Sequence, residues 1–133
     1  MTFVDASAMV GILNRESDAD ELAARLDAAD DRFTSPLAIY EATLGVWRRN
    51  KGTIAESRQD VMDLILRAGI RIIAITPAEA DIALAAFARY GKGQGHRAQL
   101  NMGDCFAYAA ARHHGAAMLF KGDDLAHTDV VLA

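Results

Sequence analysis

Apolar residues recur along this chain at three- and four-residue spacings, broken by short unbroken apolar runs. The spacings predict helices and the runs predict buried strands. Phe3-Val4-Asp5 is a short extended run that passes directly into an apolar helical stretch, Ala6 to Leu13. Leu22 and Leu26, with alanines between them, give an amphipathic helix over Asp18–Ala29 with acids in its first turn. Arg32-Phe33-Thr34 reads as a strand, and Ser35-Pro36 as the cap and first residue of a helix reaching about Lys51, with Gly52 as its stop. Thr53 to Ala68 is a further helix ended by Gly69, and Arg71 to Ile75 is the strongest strand signal, β-branched and bounded by Gly69 and Pro77. Thr76-Pro77-Ala78-Glu79 opens a helix to about Tyr90. A glycine-rich loop follows, then a helix from Asn101 to His114, a strand over Ala116–Phe120, a turn at Asp123–Ala126 and an edge strand at Val130–Leu132.

Strands alternating with helices predict an α/β fold: three layers, α/β/α, around a central, mostly parallel sheet. No linker, repeat or low-complexity tract interrupts residues 1–133, which read as a single domain. The composition, 52% hydrophobic and 24% charged, supplies a core for one domain of this length. The single cysteine, Cys105, excludes a disulfide scaffold and a cysteine-rich zinc module, and fits a reducing cytoplasm. No apolar run approaches the roughly 18–20 residues that span a bilayer, and the N-terminus lacks the basic flank of a signal peptide. The formal net charge of −4 argues against holding nucleic acid through bulk positive charge.

The acids that stand alone carry the most information. Asp5 is the only charged residue from Met1 to Asn14, Glu41 the only one from Phe33 to Trp47, and Asp104 the only one from Ala98 to Ala111. Each is embedded in core-forming sequence. Glu41 lies four residues after Leu37 and three before Leu44, on the apolar stripe of its helix with nothing to cap. Asp123-Asp124 follows the strand ending at Phe120. Asp5 and Asp123 thus lie at strand ends and Asp104 in the first turn of a helix, which brings them toward the crevice at the carboxyl edge of a parallel sheet. Carboxylates gathered there repel unless a cation is present, and an all-oxygen set suits Mg²⁺ or Mn²⁺. Blander readings exist for all but Glu41. Asp5 alone fits a turn or cap, Asp104 fits the acid of a capping box with Asn101, and Asp123-Asp124 fits turn chemistry.

Other patterns carry less. Gly91, Gly93 and Gly95 lack the strand and helix that a phosphate loop needs, and Ser7 has no nucleophile elbow. His113-His114 reads as a helix end whose imidazoles complement the negative pole, and Cys105 as a small buried residue. Two basic clusters remain, Arg48-Arg49 with Lys51, and Arg89, Lys92 and Arg97 ahead of Asp104, as rims for a phosphodiester or as solvated surface.

Taken together, Val4-Asp5-Ala6-Ser7-Ala8, Glu41, Asn101-Met102-Gly103-Asp104-Cys105-Phe106 and Lys121-Gly122-Asp123-Asp124 resemble the PIN-domain toxins of VapBC toxin–antitoxin systems. The resemblance runs over essentially the whole chain. It implies a Mg²⁺-dependent endoribonuclease (Mn²⁺ as an alternative ion) acting on RNA, blocked by a VapB-type antitoxin, with Asp5 and Asp104 as principal metal ligands, Glu41 as the helical acid and Asp123 as the fourth. Asp124, adjacent, competes with Asp123 for the metal-facing place. Ser7 and Asn101 match polar positions that hydrogen-bond the acids, and Arg48, Arg49, Arg89, Lys92, Arg97 and Lys121 are the candidate RNA contacts. The sequence departs from many members at Leu125, where they carry Phe. Apolar faces over Ile39–Trp47 and Val61–Leu66 suggest a homodimer surface. Two other readings stay open: a phosphoryl-transfer enzyme of receiver or dehalogenase type using Asp5 and Lys121, and a catalytically silent PIN-like binding module. Setting aside Asp5, Glu41, Asp104 and Asp123 leaves a net charge of zero, so the acid excess belongs to one pocket.

Overall fold

Strand β1, Thr2–Val4, is buried throughout and passes straight into helix α1, Ala6–Leu13, with Asp5 as the cap, as a computed structural model of all 133 residues describes it. Helix α2 (Ala19–Ala28), strand β2 (Arg32–Thr34), helices α3 (Pro36–Asn50) and α4 (Ile54–Arg67) and strand β3 (Arg71–Ile72) follow. The chain then forms α5 (Pro77–Tyr90), α6 (Met102–His114), β4 (Ala117–Leu119) and a short 3₁₀ turn, Leu125–His127.

The sheet order is β3-β2-β1-β4, with every pairing parallel. The steps from β1 to β2 to β3 run in one direction, and the step from β3 to β4 returns across the sheet. Right-handed crossovers therefore place α1 to α4 on one face and α5 and α6 on the other. Phe3 and Phe33 are register partners on β1 and β2, and their rings meet edge-on at 5.4 Å. With Met9, Leu100, Met118 and Leu119 they form the fully buried centre.

The helix boundaries follow their caps. Ser35, Thr53, Thr76 and Asn101 each accept a backbone N–H in the first turn of their helices, and Thr76–Glu79 and Asn101–Asp104 form reciprocal capping boxes. Lys51 (φ 58°), not Gly52, takes the left-handed position that ends α3, while the Trp47 indole donates to the Gly52 carbonyl. Two strand expectations contract. The run to Ile75 keeps only Arg71 and Ile72 as strand, both exposed, because β3 is an edge and the chain leaves it to reach α5. Val130–Leu132 contributes a single parallel bridge, Met118 with Leu132.

The apolar faces of α3 and α4 are largely consumed inside the chain. Ala42 and Val46, and Val61, Leu64 and Ile65, are buried where α3 and α4 pack on each other and on α1. Of the expected dimer surface, Leu66 stays exposed and lines a groove with Met62, Ile65, Ile70 and Ile72. A second exposed apolar cluster lies on α5 and at the start of α6, at Leu84, Phe87 and Met102. Phe33 touches both Phe3 and the His114 ring, the latter at 5.0 Å. Phe33→Ala is expected to cost about 3–5 kcal/mol of stability by urea unfolding; a loss under about 1 kcal/mol would contradict this packing.

Candidate active site

The parallel topology fixes where the acids meet. Helices α1 and α3 start where β1 and β2 end, whereas α6 ends, through Gly115 (φ 63°), where β4 begins. The N-termini of α1, α3 and α6 therefore share the carboxyl edge of the sheet, and their dipoles present positive ends to it.

Asp5 caps α1 there and is 6% exposed. Its Oδ2 accepts from the Ser7 N–H at 3.1 Å and from the Ser7 hydroxyl at 2.5 Å. The same hydroxyl accepts the Lys121 N–H at 2.9 Å, so one serine ties the chain leaving β4 to the acid leaving β1. Asp104 is held by its cap: its Oδ2 accepts the Asn101 N–H at 3.2 Å, and its own N–H donates to Asn101 Oδ1 at 2.9 Å. Asn101 thus reaches the Asp104 carboxylate through its backbone, and its side chain serves the helix. The capping reading of Asp104 holds, and the cap occupies Oδ2 of its two carboxylate oxygens.

Glu41 projects from α3 directly onto the first turn of α6. A Cβ on Gly103 would overlap the Glu41 carboxylate, so the glycine leaves the room in which that carboxylate sits. Gly103 is the site residue that pattern reasoning did not single out. Its signal was a glycine in a first helical turn, where helix propensity favours almost any other residue.

The acids perturb one another. Burial pushes Asp5 above the usual carboxylate range. Burial, then the charges of Asp5 and Asp104, raise Glu41 to about 7. Burial raises Asp104 to about 6, against the Asn101 hydrogen bond, with Asp5 and Asp124 adding to the rise. Of the Asp123–Asp124 pair, it is therefore Asp124 whose charge reaches the group. Both lie exposed in the loop after β4.

The basic residues divide. Lys121 Nζ is held by Glu16 at 3.0 Å and Asp18 at 2.9 Å, so it is not a free cation for RNA. Arg89 lies 4.0 Å from Asp129 and over the Tyr90 ring. Arg48 and Arg49 are exposed near the end of α3, and Lys92 and Arg97 in the loop that leads to α6. Another group of ligand-type side chains, Glu79, His113 and His114, forms a possible metal site about 13 Å along α6 from Asp104.

A family model described as PIN domain matches residues 2–131. The chain belongs to the PIN-domain family. This PIN domain is 41% identical to a VapC ribonuclease of Rhizobium meliloti, over 98% of this chain and 99% of that protein. It is 40% identical to Ribonuclease VapC30 of Mycobacterium tuberculosis, over 96% and 94%. Its fold matches crystallised VapC20 of M. tuberculosis, described as a sarcin–ricin loop cleaving toxin, with TM-score 0.80 at 15% identity, covering 100% and 98% of the two chains. A toxin–antitoxin complex from Klebsiella pneumoniae matches with TM-score 0.71 at 17% identity, covering 100% and 97%. PIN ribonucleases are metal-dependent. Here the chemistry of the donors fits a hard divalent cation: they are carboxylate oxygens, and burial raises Asp5, Glu41 and Asp104 alike, a cost that a bound cation would offset.

Gly103→Ala is expected to displace the Glu41 carboxylate and weaken Mg²⁺ binding about 10–100-fold while leaving the helix folded. Isothermal titration with Mg²⁺ and far-UV circular dichroism check both parts; unchanged affinity would contradict the placement of Glu41.

Proposed function

We propose that this PIN domain is an endoribonuclease of the VapC type, the toxin of a toxin–antitoxin pair, which cleaves RNA phosphodiester bonds with water at a Mg²⁺ centre. The observation that carries this reading is the convergence of Asp5, Glu41 and Asp104, with Asp124 beside them, at the carboxyl edge of the sheet. The similarity to named VapC ribonucleases over nearly the whole chain supports the same activity.

On this reading Asp5 and Asp104 are the principal ligands, Glu41 joins them, and Asp124 takes the fourth place in preference to Asp123. When bound, Mg²⁺, or Mn²⁺ in its stead, supplies Lewis acidity, lowering the pKa of water and offsetting charge on phosphoryl oxygens. Ser7 fixes the Asp5 carboxylate through its hydroxyl, and the Asn101 N–H fixes that of Asp104. Glu41, which projects from α3 onto the first turn of α6, is the group placed to accept the proton of the attacking water at its Oε atoms. Arg48, Arg49, Lys92 and Arg97 hold the flanking phosphates. Arg89 contributes less, because Asp129 shares its charge.

The partners are an RNA substrate, a VapB-type antitoxin and a second copy of the chain, with the exposed apolar residues of α5 and α6 as the surface for protein contact. No helix is long and apolar enough to cross a membrane, and the unpaired Cys105 agrees with work in the cytoplasm. The phosphoryl-transfer alternative needs a lysine at the reacting phosphate. Lys121 is committed to Glu16 and Asp18 instead, which favours the nuclease.

Asp5→Asn and Asp104→Asn are each expected to lower Mg²⁺-dependent cleavage of total RNA by about 10²–10³-fold with the fold intact, and Asp124→Asn to cost more than Asp123→Asn. Mapping new 5′ ends checks this. EDTA-sensitive cleavage by Asp104→Asn at the wild-type rate would overturn the assignment.

A further inference from the structure

The far end of α6 gathers three side chains that the carboxylate centre does not use. Glu79, in the first turn of α5, is 3% exposed, and His113 and His114 form the last turn of α6 against it. One ligand atom from each residue lies within 4.8 Å of the other two. The three nevertheless do not bond one another. The hydrogen bonds of the Glu79 carboxylate are with Thr76 alone, both to Oε2, at 2.8 and 3.0 Å. His114 Nε2 is buried with no hydrogen-bond partner. His114 packs edge-on to Phe33 at 5.0 Å and to His113 at 5.0 Å. Favourable interaction with the helix dipole accounts for imidazoles at this end of α6. It does not account for a buried carboxylate facing them across a gap too wide for a hydrogen bond.

We propose that Glu79, His113 and His114 bind a divalent transition-metal ion of the Zn²⁺ type, at a site separate from the carboxylate centre, which fastens the start of α5 to the end of α6. Two imidazoles and one carboxylate form a three-ligand set with a fourth position for water, and nitrogen donors select Zn²⁺ over Mg²⁺. Donors each about 2.1 Å from one tetrahedral ion stand about 3.4 Å apart, inside the 4.8 Å within which the three ligand atoms already lie. The exposed His113 can swing to close the difference. The ion binds the folded arrangement only and so stabilises the packing of α5 on α6.

The test is a Zn²⁺ titration of untagged, metal-stripped protein against a chromophoric chelator, beside thermal melting with and without Zn²⁺. The expected result is one equivalent of Zn²⁺ bound by wild type and equally by Asp104→Asn, with affinity lowered at least about tenfold in His113→Ala and Glu79→Gln. Zn²⁺ raises the melting temperature of wild type and not of His113→Ala, whose cleavage of RNA with Mg²⁺ is unchanged. His113 is exposed, so its variant keeps the test readable if Glu79→Gln unfolds. Equal affinity in wild type and His113→Ala overturns the proposal, as does loss of the site in Asp104→Asn, or no Zn²⁺ binding by wild type.

Discussion

Burial acts on three carboxyl groups, those of Asp5, Glu41 and Asp104, and the edge of the sheet is arranged around that cost. Each group would ionise freely in water. Here burial is the largest cause holding each one up, and the neighbouring acids add to it for Glu41 and Asp104. The fold offsets only part of this, through three converging helix N-termini, the Ser7 hydroxyl and the Asn101 N–H. Without a cation, folded Glu41 and Asp104 keep protons that the unfolded chain has released. The folded state therefore binds more protons between the ordinary carboxylate range and about 7, and loses stability as pH rises through that window. A divalent cation bound to the ionised groups reverses the balance, which links metal binding to the stability of this edge.

The same crowding was legible in the sequence because isolation is a strong signal. A lone acid within fifteen otherwise uncharged residues has few reasons to exist, and Glu41 had none that was local. The caps at Ser35, Thr53, Thr76 and Asn101 were equally readable, since capping depends on residues within one turn. What escaped were relations between distant segments. That Gly103 makes room for Glu41 depends on how closely α3 approaches α6, across more than sixty intervening positions. That Lys121 is claimed by Glu16 and Asp18 depends on how the exit of β4 meets the loop between α1 and α2. The strand at Arg71–Ile75 was overread for the same reason: β-branched composition marks a strand-forming segment but not where the chain leaves an edge.

Net charge misleads for a related reason. A chain at −4 repels RNA on average, yet its acid excess over neutrality equals the charge of one metal-holding pocket. The exposed cations lie on segments that lead into or away from that pocket: Arg48 and Arg49 on α3, Lys92 and Arg97 ahead of α6. Helix α6 links both ends of the molecule, with Asp104 in its first turn and the two histidines in its last. Its packing on α5 therefore bears on the carboxylate edge as well as on the far end.

The fold raises the Glu41 carboxyl by burial and by the charges of Asp5 and Asp104, and an NMR titration of its side-chain carboxyl carbon measures this directly. In metal-free protein the midpoint should lie near 7, and saturating Mg²⁺ should move it below the ordinary glutamate value of 4.5. A midpoint near 4.5 without metal, or one that Mg²⁺ leaves unmoved, would contradict the account.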